Sequence, residues 1–223
     1  MAEKRQGFFA THLDPGGIFG EILFGLIMVL TFTLGAGIAV EEGPGAVRAM
    51  LIAALGCNVA WGIIDGAMYV MGVLLDRGRR NRMLLALKNI ADEDSALAAI
   101  GGELDAPLAA LTSREERRAL YRGIWAISAR AQPEKPRIER DDLLGGLASG
   151  LLVVLTALPA AVPFMFMDDA FRALRVSNGI LLGLLFFCGF FWARFTGVNR
   201  WLAGAAMTLI GLLLVAVAIL LGG

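Results

Sequence analysis

Five apolar runs, each close to the length of a membrane-spanning helix, constrain this chain more than any other feature. They cover approximately residues 17–40, 49–75, 143–167, 176–193 and 201–221. A helix rising 1.5 Å per residue needs about 20 mostly apolar residues to cross the hydrocarbon of a bilayer. Lipid offers no partner to backbone amides, so each run is expected to be helical despite its glycines. The fourth run is short and is expected to borrow a turn from either flank. Composition agrees: 57% of residues are hydrophobic, 18% are charged, and mean hydropathy is +0.70. A soluble domain of this size carries more charge and shorter apolar runs. The expected fold class is therefore an all-α integral membrane protein. Its five transmembrane helices are interrupted by one helical insert between helices 2 and 3. The expected segments are a tail (1–16), helices 1–2 (17–75), the insert (76–142) and helices 3–5 (143–223).

Lys and Arg set the orientation. The tail, the insert and the turn between the last two spans hold seventeen of them, and the opposite side holds three: Arg48, Arg172 and Arg175. Residues beside span ends carry most weight, and Arg77, Arg79, Arg80, Arg82, Arg137 and Arg140 agree with the total. The expected topology is N-terminus in and C-terminus out, with the insert in the cytosol. The N-terminus shows no small-x-small cleavage site after a short apolar core, so the first span is expected to act as its own targeting signal. High Ala, Gly and Arg usage suggests a bacterial source and a multi-pass protein of the inner membrane.

Several function classes drop out. Net charge is zero and pI is near 6.6, so nothing points to nucleic acid. Cys57 and Cys188 both lie in apolar runs and read as small core residues, not as a disulfide or a metal clip. The one histidine, His12, is in the tail. No helical zinc motif, nucleophile–base pair or cofactor motif is present, so neither an enzyme nor a resident cofactor is expected.

The insert reads as a small helical hairpin or bundle. Residues 83–97 carry Leu84, Leu87 and Ile90 at helical spacing and are expected to continue the second span until Gly101 and Gly102 break the helix. Ser113 to Glu116 is a capping box. The helix it starts is expected to reach about Arg130, with Leu120, Ile124 and Ile127 on one face, and to end at Pro133 and Pro136. Asp141 and Asp142 are expected to cap the third span.

Ionisable groups inside a span cost several kcal/mol, so they usually face a partner or a water path. Asp65 lies ten residues, about 15 Å, from the insert end of the second run. Glu21 lies near the start of the first, where it suits either the headgroup region or a polar site. Asn58, Trp61, Asp65 and Met68 fall at helical spacing on one face, and so do Glu21, Met28, Thr31 and Gly35 on the first span. A short turn, about 41–47, joins the two spans as antiparallel neighbours. Where the two faces meet they would gather two carboxylates, a carboxamide and thioethers, donors that suit a divalent transition metal. A carboxylate in low dielectric also carries protons. The same residues admit plainer roles: Met28, Met68 and Met71 as packing, Asn58 as an interhelical hydrogen bond. Pro159 and Pro163 allow a kink in the third span. Gly62-xxx-Gly66, Gly146-xxx-Gly150 and Gly179-xxx-Gly183 permit close helix contact.

The pattern resembles the vacuolar iron transporter (VIT) family. The resemblance rests on Glu21-Ile-Leu-Phe-Gly25 with Leu34-Gly-Ala-Gly37, on Cys57-Asn-Val-Ala-Trp-Gly62, on Ala157-Leu-Pro159 with Pro163-Phe, and on Gly197-Val-Asn-Arg-Trp201. It implies a homodimeric antiporter of ferrous iron and protons, with a pore lined by the first two spans and an acidic, Met-rich insert that gathers metal. The chain departs from that pattern. The family's acidic positions fall at about Met28 and Asn58, and its pore methionine at about Gly66. The insert begins with a basic run, Asp76 to Met83, where the family is rich in glutamate.

The expected function is proton-coupled export of a divalent metal, iron or manganese, by a homodimer in contact with lipid. Asp65, Asn58, Glu21, Met28 and Met68 are its candidate ligands. The alternative is a non-transporting scaffold whose basic insert binds anionic lipid or a protein partner.

Overall fold

A computed structural model describes residues 7–39, 46–133 and 135–220. Among them regular structure is entirely helical: α1 (Phe8–His12), α2 (Pro15–Ala39), α3 (Ala46–Asn89), α4 (Glu93–Leu108), α5 (Arg114–Arg130), α6 (Arg140–Phe166), α7 (Ala170–Thr196) and α8 (Arg200–Leu220). Five of these, α2, α3, α6, α7 and α8, are long and apolar enough to cross a bilayer. The short fourth run does borrow from both flanks, and α7 reaches 27 residues. Lys4, Arg5, Glu41, Glu42 and most of the expected turn between the first two spans lie outside the described residues.

The chain forms two compact units, Met1–Val70 with Glu139–Gly223, and Met71–Ile138. In the first, α6 is the central helix: 61% of its apolar window is buried, against 33% or less for the other spans. Its inward side is made of small residues, including Ala148, Ser149, Gly150, Ala157 and Ala160. Association of helices in lipid is driven by packing and interhelical hydrogen bonds, which favours such small contacts. α2 and α7 pack on α6, and α8 packs on α7. Leu26, Val29, Leu30, Leu181, Leu185 and Val215 close the core around Ala157 and Ala160.

Two of the three glycine pairs meet each other. A Cβ on Gly150 would sit 2.3 Å from the carbonyl oxygen of Gly62, and one on Gly66 would sit 2.6 Å from that of Gly146. α3 and α6 thus touch backbone to backbone. Gly179 and Gly183 face open space, so the third pair makes no such contact. α6 runs as one helix through Pro159 and Pro163, and Ser177 of α7 donates to the Ala160 carbonyl in that stretch at 2.8 Å.

The second unit packs the end of α3 with α4 and α5 around Leu87, Leu97, Ile100 and Tyr121. Two expectations need correction. The helix continuing the second span ends at Asn89, not at Gly101. Asp92 caps α4 by accepting from the Ser95 amide, and this local cap starts a new helix well before the two glycines. Gly101 and Gly102 lie inside α4, where the cost of about 1 kcal/mol per glycine is tolerated. The capping box at Ser113 is present and α5 reaches Arg130; its packed face is Tyr121, Ile124, Trp125 and Ser128. Leu120 and Ile127 are 46% and 69% exposed. At the start of α6 the cap is Glu139, whose amide donates to Asp142, one turn in; Asp142 serves the cap from inside the helix.

Candidate carboxyl site between the first three spans

Asp14 starts α2 by accepting hydrogen bonds from the Gly16 and Gly17 amides at 2.9 and 3.3 Å. That start places Glu21 less than two turns into the span, facing α6. Its Oε1 accepts from the Ser149 hydroxyl at 2.7 Å, and Ser149 is fully buried. On the other side, Glu21 lies beside Asp65 of α3. Two ionised carboxylates have no proton to share in such a contact. Two like charges so close repel, and a proton or a cation between them relieves that repulsion. The Asp65 Oδ2 is buried and receives no hydrogen bond. No basic residue lies within the apolar part of α2, α3 or α6 to neutralise the pair.

The two helices run antiparallel, as the sequence implied. Glu21 meets Asp65, the Phe24 ring lies edge-on to Trp61 at 5.6 Å, and Val29 and Thr33 share a small cavity with Ala54 and Leu55. The expected face is only partly realised. Asn58, Gly62 and Asp65 turn inward. Asn58 is 1% exposed, and its Nδ2 donates to the Val153 carbonyl of α6 at 2.9 Å. Met68 sits off to one side of that face and is 60% exposed. Met28 is half-buried, seven residues or about 10 Å of helix beyond Glu21. The structure therefore brings Glu21 and Asp65 together. It spaces Asn58 two turns away and turns Met68 outward.

Ser149 was not among the expected site residues. Its one sequence signal is a hydroxyl between Gly146 and Gly150, on the small-residue side of a span. A second unforeseen polar contact joins α2 to α7: the Thr33 hydroxyl donates to Asn178 Oδ1 at 2.7 Å.

The magnitudes separate this pair from ordinary interhelical contacts. A hydrogen bond between spans contributes about 0.6 kcal/mol on average, while an intramembrane aspartate costs about 2.5–3.5 kcal/mol on insertion scales. The Ser149 bond does not offset two acids. Packing alone does not account for them.

The acids of the second unit are differently placed. Glu93 pairs with Arg122, Asp94 with Arg118, Asp105 with Arg117 at 3.2 Å, and Glu103 with Arg79 at 3.6 Å. Asp105 also accepts from the Tyr121 hydroxyl at 2.7 Å; burial first, then this carboxylate, pushes the phenol above its ordinary pKa. Asp92 is held below the usual carboxylate value by the Ser95 hydroxyl and amide, and Glu116 by the Ser113 amide. Among the described residues no group of three or more His, Cys, Asp or Glu gathers as a metal site.

A profile of the VIT family matches residues 86–223, which is more than half of the chain. No curated protein matched the sequence. The profile match begins after Glu21, Asn58 and Asp65, so it covers the insert and the last three spans but not the carboxyl pair. Five apolar spans with a polar helical insert between the second and third, together with that match, lead to one conclusion: the chain is a multi-pass membrane protein that belongs to the VIT family, a family of membrane metal transporters.

Proposed function

We propose that the chain exports a divalent metal ion, ferrous iron or manganese, from the cytosol in exchange for protons, and that Glu21 and Asp65 are the site the two kinds of ion share. The observation that supports this reading is the proximity of two carboxyl groups inside the spans with no Lys or Arg beside them among the described residues. Such a pair holds a proton when no metal is bound. A divalent cation takes the proton's place, since both carboxylates then ionise against its charge. Metal entry is thereby coupled to proton release without any moving charge elsewhere in the chain.

The ligand set follows from position. Asp65 and Glu21 supply oxygen, the Ser149 hydroxyl orients Glu21, and Asn58 and Met28 lie further along the path away from the insert. Met68, exposed on α3, completes the set only across an interface with a second copy, which fits a homodimer built on this helix. Placement of the insert and the carboxyl pair toward the cytosol follows from the distribution of Lys and Arg.

The test is ferrous-iron flux into proteoliposomes holding the full chain under an imposed proton gradient. Wild-type chain is expected to carry iron with proton counterflow, and Asp65→Ala to reduce both on the order of tenfold or more. No flux, or flux indifferent to Asp65, overturns the reading.

A further inference from the structure

Just past the apolar run of α3, the second unit holds a polar cavity of about 710 Å³. Arg79, Arg80 and Arg82 line it, with Asp76 and Glu103 as the acids among the described residues that line it. Arg79 leans on Glu103 at 3.6 Å. Arg80 and Arg82 are exposed and have no carboxylate partner among the described residues. The cavity therefore has two guanidinium groups uncommitted to any anion. Guanidinium is the side chain best shaped to grip a phosphate, through two parallel N–H bonds.

The rest of the same helix face decides which phosphate. Met71, Leu75, Arg79, Arg82 and Ala86 follow one another at helical spacing. Met71 and Leu75 are 67% and 60% exposed. An exposed apolar stripe thus runs directly into the arginines, and Leu75 is only four residues, about 6 Å of helix rise, from Arg79. A small soluble anion has no use for the apolar half. A phospholipid matches both halves, with acyl chains along Met71 and Leu75 and the phosphate on the guanidiniums.

We propose that this stripe and cavity form a binding site for one anionic phospholipid, whose headgroup phosphate is held among Arg79, Arg80 and Arg82, the three guanidinium groups that line the cavity. The site is independent of what the carboxyl pair carries. It gives the basic start of the insert a specific ligand rather than a general attraction to negative surfaces.

The experiment uses the full chain in a neutral detergent, with bound lipid counted by native mass spectrometry during titration. Phosphatidylglycerol is the probe, and phosphatidylcholine and inorganic phosphate are the comparisons. Wild-type chain is expected to retain one phosphatidylglycerol in preference to phosphatidylcholine, with millimolar phosphate unable to displace it. Arg80→Gln/Arg82→Gln is expected to weaken that retention by about tenfold or more. Arg114→Gln/Arg130→Gln makes the same charge change at exposed positions on α5 and is expected to leave retention unchanged. Equal loss in the two double variants overturns the proposal in favour of diffuse charge. Displacement by phosphate overturns it in favour of a free-anion site, and equal retention of phosphatidylcholine removes the anionic requirement.

Discussion

The carboxylates of the spans and those of the insert are the same chemical groups in opposite circumstances. In the insert Glu93, Asp94, Glu103 and Asp105 each face an arginine, and Asp92 and Glu116 are committed to helix caps. In the spans Glu21 and Asp65 face each other, and the Ser149 hydroxyl donates to Glu21. An acid already paired with a guanidinium gives up that partner before it can take a metal. An acid paired with another acid gains by taking one. Under the proposed function, the contrast makes acidic count a poor guide to where the metal is held. The insert holds the greater number of acids, and the spans hold the only two among these whose charges are uncompensated.

The sharpest way to break this comparison is to neutralise each set and measure flux. Glu21→Gln and Asp65→Asn are each expected to cut ferrous-iron flux in proteoliposomes on the order of tenfold or more. Glu93→Gln/Asp94→Asn removes two insert acids and is expected to leave flux within about twofold, because exposed ion pairs of this kind contribute only about 0–1 kcal/mol to the fold. If the insert variant loses as much flux as the span variants, the insert gathers metal after all and the contrast fails.

Glycines divide along the same line. Gly150→Ala puts a Cβ 2.3 Å from the Gly62 carbonyl oxygen, and no side-chain rotation relieves a clash with backbone. α3 and α6 must separate, at a cost of about 1–3 kcal/mol by analogy with overpacked cores. The same step displaces Asp65, one turn from Gly62, so flux is expected to fall together with thermal stability. Thermal unfolding of the detergent-solubilised chain, alongside flux, checks both.

The sequence carried the spans because bilayer thickness fixes their length, and it carried the Ser113 cap because a capping box is local. It also made Glu21 and Asp65 conspicuous, as charges within apolar runs, and the structure sets the two side by side. Other features depended on partners that a sequence does not display. α5 has apolar residues on two stripes, and only the packing of α3 and α4 decides that Tyr121 and Trp125 are covered while Leu120 and Ile127 are not. Met68 shares a helical spacing with Asp65 but falls far enough around α3 to face outward. Ser149 was hidden because a serine in a span commonly bonds its own backbone. The Asp92 cap was hidden behind the louder signal of Gly101 and Gly102.

A smaller effect of opposite sign is expected at Gly123. A Cβ there meets nothing within 4 Å, and the residue is exposed in the middle of α5. Gly123→Ala is expected to stabilise the second unit by about 0.5–1 kcal/mol through helix propensity alone. Local hydrogen exchange of α5 amides reads this directly. A destabilised Gly123→Ala would mean that this face of α5 is covered, and the insert would then resemble the crowded spans.

The smallest effect is a pH dependence confined to the insert. Asp92 and Glu116 have carboxyls held below their ordinary values of 3.8 and 4.5. A depressed value in the folded chain means that these caps stabilise their helices at pH above the ordinary value. The contribution is lost as pH falls through the depressed one. Hydrogen-exchange protection in the first turns of α4 and α5, corrected for intrinsic rates, is therefore expected to hold steady near neutral pH and to decline as pH falls below about 4. Tyr121 works in the other direction. Its phenol is raised above 10.0, so its contribution is present at neutral pH and fades only under strongly alkaline conditions. Asp92→Asn separates capping from charge, because asparagine caps about as well as aspartate and does not titrate. The variant is expected to keep the protection of α4 near neutral pH and to lose its acid dependence, while α5, capped through Glu116, keeps its own. If α4 of the Asp92→Asn variant still loosens in acid, the effect traces to the Glu93 and Asp94 ion pairs instead, and the insert's acids then matter more to its fold than exposed pairs usually do.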